Sequence, residues 1–320
     1  MKLNKKRTFV LYPKPPFNFD ATVFKPSHYP DPLKVYEPGK YWFALRFGSR
    51  IYGIKLLNKG TIGNPKIQVV IFSRKPLNRE EAKRIVAEVG YRFEFDRDVS
   101  EFYKKFKNDK VLRPFLKKWR GMRMVCAQDL YGLLMILIFL QNTMVRRTVQ
   151  MTKAMLSRYG VRVDFDKRRV FCFWQPKEML EVPEKDLRAL KVGYRAKLFI
   201  KTSETFVKEK IDEFALRRLP KEMIKKELLK IYGVGPETAR GLLHECFHSW
   251  GDLEHVAPWQ QKIYSRLLFN KKLVPAGKII KYAHKKWGKW ATLATHYIWE
   301  DIFWRRKNEK IPWLEKEIRL

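Results

Sequence analysis

Residues 231–266 read "IYGVGPETARGLLHECFHSWGDLEHVAPWQQKIYSR", and this stretch decides the fold. Gly233 and Gly235 bracket Val234 between two amphipathic helical segments, "LPKEMIKKELLKIY" before them and "PETARGLLHECF" after. Two glycines permit positive φ and close backbone approach. Pro236 suits the first turn of the second helix, where its missing N–H is no loss. The free N–H groups of that helix start converge outward and form a site for an anion. An ordinary helix–turn–helix corner would use the same residues, so G-x-G alone is a weak signal. The pattern predicts a helix, a hairpin and a helix over 228–241, with Val234 as a small apolar plug and a phosphate as ligand.

Composition points the same way. The 320 residues are 45% hydrophobic, enough for two domains or one large one with subdomains. Lys and Arg number 68 against 33 acidic residues, a formal charge of +35, which favours a polyanionic partner. The basic residues interleave with apolar ones, as on a folded surface that grips phosphates; a membrane surface or ribosomal RNA would attract the same charge. The longest apolar run, Leu133 to Leu140, falls far short of the ~20 residues of a spanning helix, so no membrane association is expected. "MKLNKKRTF" lacks a following apolar segment, and an intracellular protein of cytoplasm, nucleoid or nucleus is expected. Cys126, Cys172 and Cys246 stand apart, without metal-ligand or disulfide spacing, and read as small buried hydrophobes.

Along the chain, residues 1–115 have the texture of a small α+β domain. "KYWFALRFG", "RIYGIKLLN" and "KIQVVIFS" alternate like antiparallel strands, and "NREEAKRIVAEVGYRF" follows as a helix capped by Asn78. Residues 116–320 carry a helical period and are expected to be all-α. Within them, "AQDLYGLLMILIFLQNTMVRRTVQMTKAMLSRYG" predicts a buried helix and a basic one meeting near Gln141-Asn142-Thr143.

Several of these segments together resemble the helix-hairpin-helix (HhH-GPD) DNA glycosylase superfamily, in its branch of 8-oxoguanine and alkylated-base glycosylases. The hairpin "LLKIYGVGPETAR" is one; "VGYRAKLF" at 192–199 is similar to a segment of the 8-oxoguanine enzymes; "IFLQNTMVRRTVQMTKAMLSRYG" resembles their paired helices with a duplex-inserting loop. "HKKWGKWATLATHYIWEDIFW" resembles the helices of their base pocket, and the likeness covers about residues 40–305. It implies an α+β fold: an antiparallel-sheet domain, then a mostly helical two-lobed core with the cleft between its lobes. It also implies a double-stranded DNA partner with a damaged base, bound by a monomer, and excision after that base is turned out of the stack.

The residues carried over are specific. Gly233, Val234, Gly235 and Thr238 would hold the phosphate strand, Asn142 beside Gln141 would fill the gap left by the everted base, and Arg147 would meet the orphaned partner base. Tyr194 and Arg195 would buttress the kink; core packing is the plainer role for Tyr194, a solvated helix face for Arg147. Thr295 and Trp299, with Trp259, would form the base pocket. The 8-oxoguanine enzymes place a glutamine and a phenylalanine at the first two positions, and Thr295 lacks an amide's bidentate bonding, so the base may not be identified further than a modified purine: alkylated, deaminated or 8-oxoguanine. No cofactor is required by the resemblance, beyond a structural monovalent cation at the hairpin.

Two chemical positions depart from the family. The lysine that attacks the sugar in strand-cleaving members is here Glu237, which implies a monofunctional enzyme using water. The aspartate that stabilises the sugar cation stands nine residues before an arginine; counting back from Arg266 reaches Ala257. Three readings follow: an engineered inactive Asp→Ala variant, substitution by another acid (Glu254, Asp252 or Glu237), or a naturally non-catalytic relative. The expectation is a severely impaired glycosylase with its DNA grip intact; the alternative is a non-catalytic DNA-binding or damage-recognition module, and a ribosome-associated protein is a distant third.

Overall fold

A computed structural model describes residues 1–250 and 253–318 of the chain. Strands β1 (Lys5–Leu11), β2 (Lys34–Glu37), β3 (Lys40–Phe47), β4 (Arg50–Asn58) and β5 (Ile67–Ser73) form one antiparallel sheet in the order β1-β5-β4-β3-β2. The three alternating segments are β3, β4 and β5, and Gly48 takes the left-handed conformation that the tight β3–β4 turn demands. Helix α1 (Phe19–Val23) lies between β1 and β2; α2 (Arg79–Arg92) follows β5, with the Asn78 side chain accepting from the Glu81 N–H at 2.7 Å. Ala82, Ile85 and Val89 of α2 cover one sheet face, packing in a core with Phe43, Ile54 and Ile71.

The rest is helical with one interruption. In order come α3 (Ser100–Phe106), α4 (Arg113–Lys118), α5 (Leu130–Leu140) and α6 (Val145–Tyr159). Residues 161–172, inside the segment expected to be all-α, instead form a hairpin of β6 (Val161–Phe165) and β7 (Arg168–Cys172). Its alternating Val163, Phe165, Val170 and Cys172 cover the second face of the sheet against Trp42, Ala44 and Phe72, so this sheet is buried on both sides. Gly53 is needed there: a Cβ at that position would meet the Phe165 ring at 2.6 Å.

Then follow α7 (Pro176–Leu180), α8 (Glu184–Ala189), α9 (Arg195–Lys208), α10 (Glu213–Leu216), α11 (Lys221–Leu229), α12 (Pro236–Glu245), α13 (Pro258–Phe269), α14 (Ala276–Trp287), α15 (Ala291–Asn308) and α16 (Pro312–Glu317). They divide between two apolar cores. Helix α5, apolar nearly all round, centres one core with α6, α9, α11 and α12. Helices α13 to α16 build the other, and it draws Val99, Phe102, Phe106 and Trp119 from the amino-terminal side. A buried ion network joins the sheet unit to the first core: Glu88 of α2 pairs with Arg92 at 2.7 Å and accepts from Arg217 at 2.7 Å, and Glu213 accepts the Leu130 N–H at 2.6 Å, which fixes the start of α5. Among the described residues no helix is long and apolar enough to cross a membrane.

Candidate active site

The hairpin between α11 and α12 has the conformation its glycines imply. Gly233 sits at φ +82°, and Gly235 is the extended N-cap of α12 with no side-chain cap bond. Both glycines are exposed, while Val234 is buried and its N–H returns to the Ile231 carbonyl at 3.0 Å. Pro236 occupies the first turn, so the start of α12 faces solvent with N–H groups that helix geometry leaves unpaired. Thr238, the third residue of α12, lies in the same turn and lines the cleft described next.

A cleft of about 930 Å³ opens between the two helical cores. Gln141 and Asn142 stand at its rim, Glu237 and Thr238 descend one wall, and Trp259, Thr295 and Trp299 form part of another. Residues separated by more than 150 positions in sequence thus meet around one cavity. The Trp259 and Trp299 rings lie 4.4 Å apart at 59°, and Phe303 closes the group at 4.9 Å from Trp299. Trp259 remains 40% exposed, which leaves its ring available to a planar ligand.

The rim turn is held rigidly. Asn142 adopts φ +44° between α5 and α6, and its side-chain amide donates to the Tyr194 hydroxyl at 3.5 Å. Arg195, buried, donates through Nε to the Ile138 carbonyl at 3.1 Å and through a terminal nitrogen to the Gln141 carbonyl. The Ile138 carbonyl also accepts the Gln141 N–H at 3.3 Å, so the guanidinium adds a second bond at the α5 C-terminus and ties it to the turn that presents Asn142. Arg147 bonds the Gln150 side chain at 3.0 Å and the Lys191 carbonyl, tying α6 to the segment before α9. It does not line the cleft.

The acids weighed from the sequence separate sharply. Glu254 is held by Lys225 at 2.7 Å, a bond that lowers its pKa, and does not line the cleft. Asp252 lies outside the described residues. Glu237 does line the cleft, ion-paired to Arg240 at 2.9 Å and 3.4 Å from the His255 imidazole. Ala257 is the N-cap of α13, its N–H donating to the Gln260 side chain at 3.2 Å. Its neighbours His255, Trp259 and Gln260 line the cleft, so a longer side chain at 257 would start beside it.

Thr295 departs from the part expected of it. It is buried against the cleft, but its hydroxyl donates to backbone carbonyls of its own helix, Ala291 at 2.9 Å and Thr292 at 3.0 Å, and so offers no proton to a base. The polar groups of the floor are others that the sequence reading did not single out. Lys25 is buried, and desolvation lowers its pKa. Glu300 receives both the N–H and the hydroxyl of Ser27, at 2.9 and 2.7 Å, and burial raises its pKa. Burial likewise holds His28 and His296 well below the usual imidazole range and lowers His244 to about 3. His296 and Glu300 share a helix face with Trp299, a spacing that could have revealed them; Lys25 and His28 come from an irregular loop with no such signal.

Comparison with known proteins agrees with this geometry. No family model matches the chain. It is 22% identical over 256 residues to the DNA-3-methyladenine glycosylase of Bacillus subtilis (strain 168), covering 78% of this chain and 83% of that protein. Among solved structures, the 3-methyladenine DNA-glycosylase of Archaeoglobus fulgidus superimposes with a TM-score of 0.75 at 17% identity, covering 92% of this chain and 99% of the other. The 8-oxoguanine glycosylase/lyase of Clostridium acetobutylicum does so with a TM-score of 0.68 at 19% identity, covering 94% and 99%. The architecture is therefore that of the helix-hairpin-helix DNA glycosylases. The chain resembles the 8-oxoguanine and 3-methyladenine DNA glycosylases from its amino-terminal sheet through its last helices.

Proposed function

We propose that this chain is a DNA glycosylase of base excision repair that turns a modified purine out of duplex DNA and hydrolyses its N-glycosidic bond. The homologues support a DNA glycosylase function, and one solved structure of similar fold is described as MBOgg1 in complex with a low-affinity DNA ligand. The observation that carries the reading is the single cleft running from the left-handed Asn142 turn to the Trp259–Trp299 pair, beside an exposed glycine hairpin. A duplex clasped at Gly233–Gly235 and entered by Asn142 would place one everted base in that cleft. One cleft engages one lesion, so the chain acts as a monomer, inside the cell where its substrate lies.

The chemistry follows from two side chains. Glu237 offers no amine, so no Schiff base forms at that position and the enzyme is monofunctional, with water as nucleophile. Ala257 leaves the developing sugar cation without the carboxylate expected at the α13 N-terminus, and lost electrostatic stabilisation of this kind costs several kcal/mol of barrier. Glu237, unlike Glu254, lines the cleft, and it serves as a weak surrogate. The chain is thus an impaired catalyst with an intact DNA grip. A monovalent cation at the hairpin would be auxiliary: the Ile231 and Tyr232 carbonyls already accept from Val234 and Thr202, leaving each one lone pair.

The test is Ala257→Asp assayed on oligonucleotides carrying 8-oxoguanine, hypoxanthine, uracil or methylated purines, followed by heating in alkali. Abasic sites from at least one lesion support the reading. The second reading, a non-catalytic DNA-binding module, draws on the missing carboxylate at Ala257; it predicts equal affinity for intact and lesion duplexes and no base release after the substitution.

A further inference from the structure

We propose that Tyr91 and Arg97 are positioning residues: they clamp the short crossover between the two helical cores and so fix the start of α13 against α12. The chain leaves the first core at Cys246, the C-cap of α12, and enters the second at Trp250. Midway, His248 takes the left-handed conformation at φ +51°, a sparsely populated choice for any residue but glycine. Such a bend persists where its surroundings over-determine it, and here they belong to the end of α2 and the turn after it. The Tyr91 hydroxyl donates to the Cys246 carbonyl at 2.9 Å, and its ring lies 4.4 Å from the His248 ring. Arg97 donates to the His248 carbonyl at 3.5 Å and holds its guanidinium 4.2 Å over the Trp250 ring. Glu94, buried and itself left-handed at φ +49°, faces His248 Nδ1 at 3.8 Å. Burial raises this carboxyl to about 8 and lowers the imidazole to about 3, so at neutral pH the pair adds no buried net charge.

Little else sets how α12 and α13 face each other. Their buried residues divide between the two cores, Ala239, Leu242 and Leu243 in the first, Ile263 and Tyr264 in the second. The ion pairs that bridge the lobes near the cleft, Lys225–Glu254 and Glu237–His255, are exposed or nearly so and hold weakly. The clamp grips from behind, while the flanks of the crossover, Glu245 and Leu253, reach the cleft. Tyr91 and Arg97 are only half-buried and belong to neither helical core, so substitutions there spare the packing of both.

The experiment reads the distance between the lobes by double electron–electron resonance, in the full chain without DNA. Spin labels are carried by Lys208→Cys on α9 and Lys285→Cys on α14, both exposed positions, with the half-buried native thiol removed by Cys126→Ser. One narrow distance population is expected; a broad one overturns the proposal. Tyr91→Phe with Arg97→Met should widen it by about 2 Å or more, whereas Arg97→Lys, which keeps a cation over Trp250, should leave it narrow. An unchanged population in the folded double variant contradicts the clamp, as does equal widening in Arg97→Lys. Should the double variant not fold, His248→Gly decides: glycine accepts the bend but gives up the Tyr91 contact, and an unchanged population overturns the proposal equally. A second arm rests on the base-flipping reading: anisotropy with duplexes carrying 8-oxoguanine, hypoxanthine, 7-methylguanine or no lesion. Preference for a lesion should fall about five-fold or more in the double variant, with intact-duplex affinity kept. A preference retained in a widened chain overturns the positioning role. No preference even in the unsubstituted chain strikes the base-flipping reading, and the distances alone then judge the clamp.

Discussion

The His255 imidazole faces the Glu237 carboxylate across 3.4 Å at the cleft, two residues before Ala257. Arg240 holds the same carboxylate from its own helix, through two nitrogens at 3.2 and 2.9 Å. A carboxylate so fixed is placed to take a water's proton or to steady a sugar cation, though with its charge partly drawn off by Arg240. Glu237→Gln keeps the shape and removes the charge. It should lower residual base release by the present chain about ten-fold or more in single-turnover assays. An unchanged rate would show that Glu237 is only a partner for Arg240.

The hairpin glycines have separable roles. Gly233 lies at φ +82° with the Leu198 side chain 3.2 Å from where a Cβ would sit, whereas Gly235 has an ordinary φ and open space around it. Gly233→Ala should therefore lower thermal stability by about 1 kcal/mol or more. Gly235→Ala should leave the melting temperature nearly unchanged while weakening duplex binding, because its new methyl group would stand where the proposed phosphate contact is made. Melting curves and a binding isotherm for each variant check both statements.

Arg195 links the α5 C-terminus to the inserting turn. Arg195→Met keeps much of the packing but removes the side-chain bonds to the Ile138 and Gln141 carbonyls, with an expected loss of about 1–3 kcal/mol. A fluorescent base analogue beside the lesion should also report less base eversion, because Asn142 is no longer held in its left-handed conformation. Full eversion in this variant would mean that the turn is rigid without its guanidinium.

Acid should destabilise the protein through the imidazoles of the cleft. His244 is lowered to about 3, chiefly by burial and then by Arg240, and His28 and His296 are lowered as well. The unfolded chain takes up these protons below pH ~6.5 while the folded chain does not, so stability falls as pH drops from ~6.5 towards 3. The buried carboxyls of Glu94, Glu245 and Glu300, raised by desolvation, act in the opposite sense over this range, so the imidazole contribution is read by comparing denaturant titrations of the chain and a histidine variant at pH ~7.5 and ~5. His244→Gln, neutral in both states, should lose about 2 kcal/mol less than the chain itself between pH ~7.5 and ~5.

Much of the fold is legible in the sequence because local and tertiary signals coincide there. The alternation of β3 to β5, the Asn78 cap and the glycine hairpin are each fixed by neighbouring residues. The edge strands β1 and β2 were not anticipated; their pairing partners, not their own pattern, define them. The β6–β7 hairpin was passed over for the same reason, since its apolar residues answer to a sheet more than 80 positions earlier in the chain. At the site, Asn142, Trp259 and Trp299 are named through the resemblance of their segments to the glycosylases, and all three line the cleft. The Ser27–Glu300 contacts could not be read in this way, because they join a loop and a helix separated by more than 270 residues.

The central claim is that a glycosylase cleft is complete here but for one carboxylate at position 257. It is tested most directly by single-turnover base release from lesion-containing duplex, comparing Ala257→Asp with the present chain at equal, saturating protein. A rise in rate on the order of 10²-fold or more is the predicted result. No rise for any lesion that the variant demonstrably binds would contradict it.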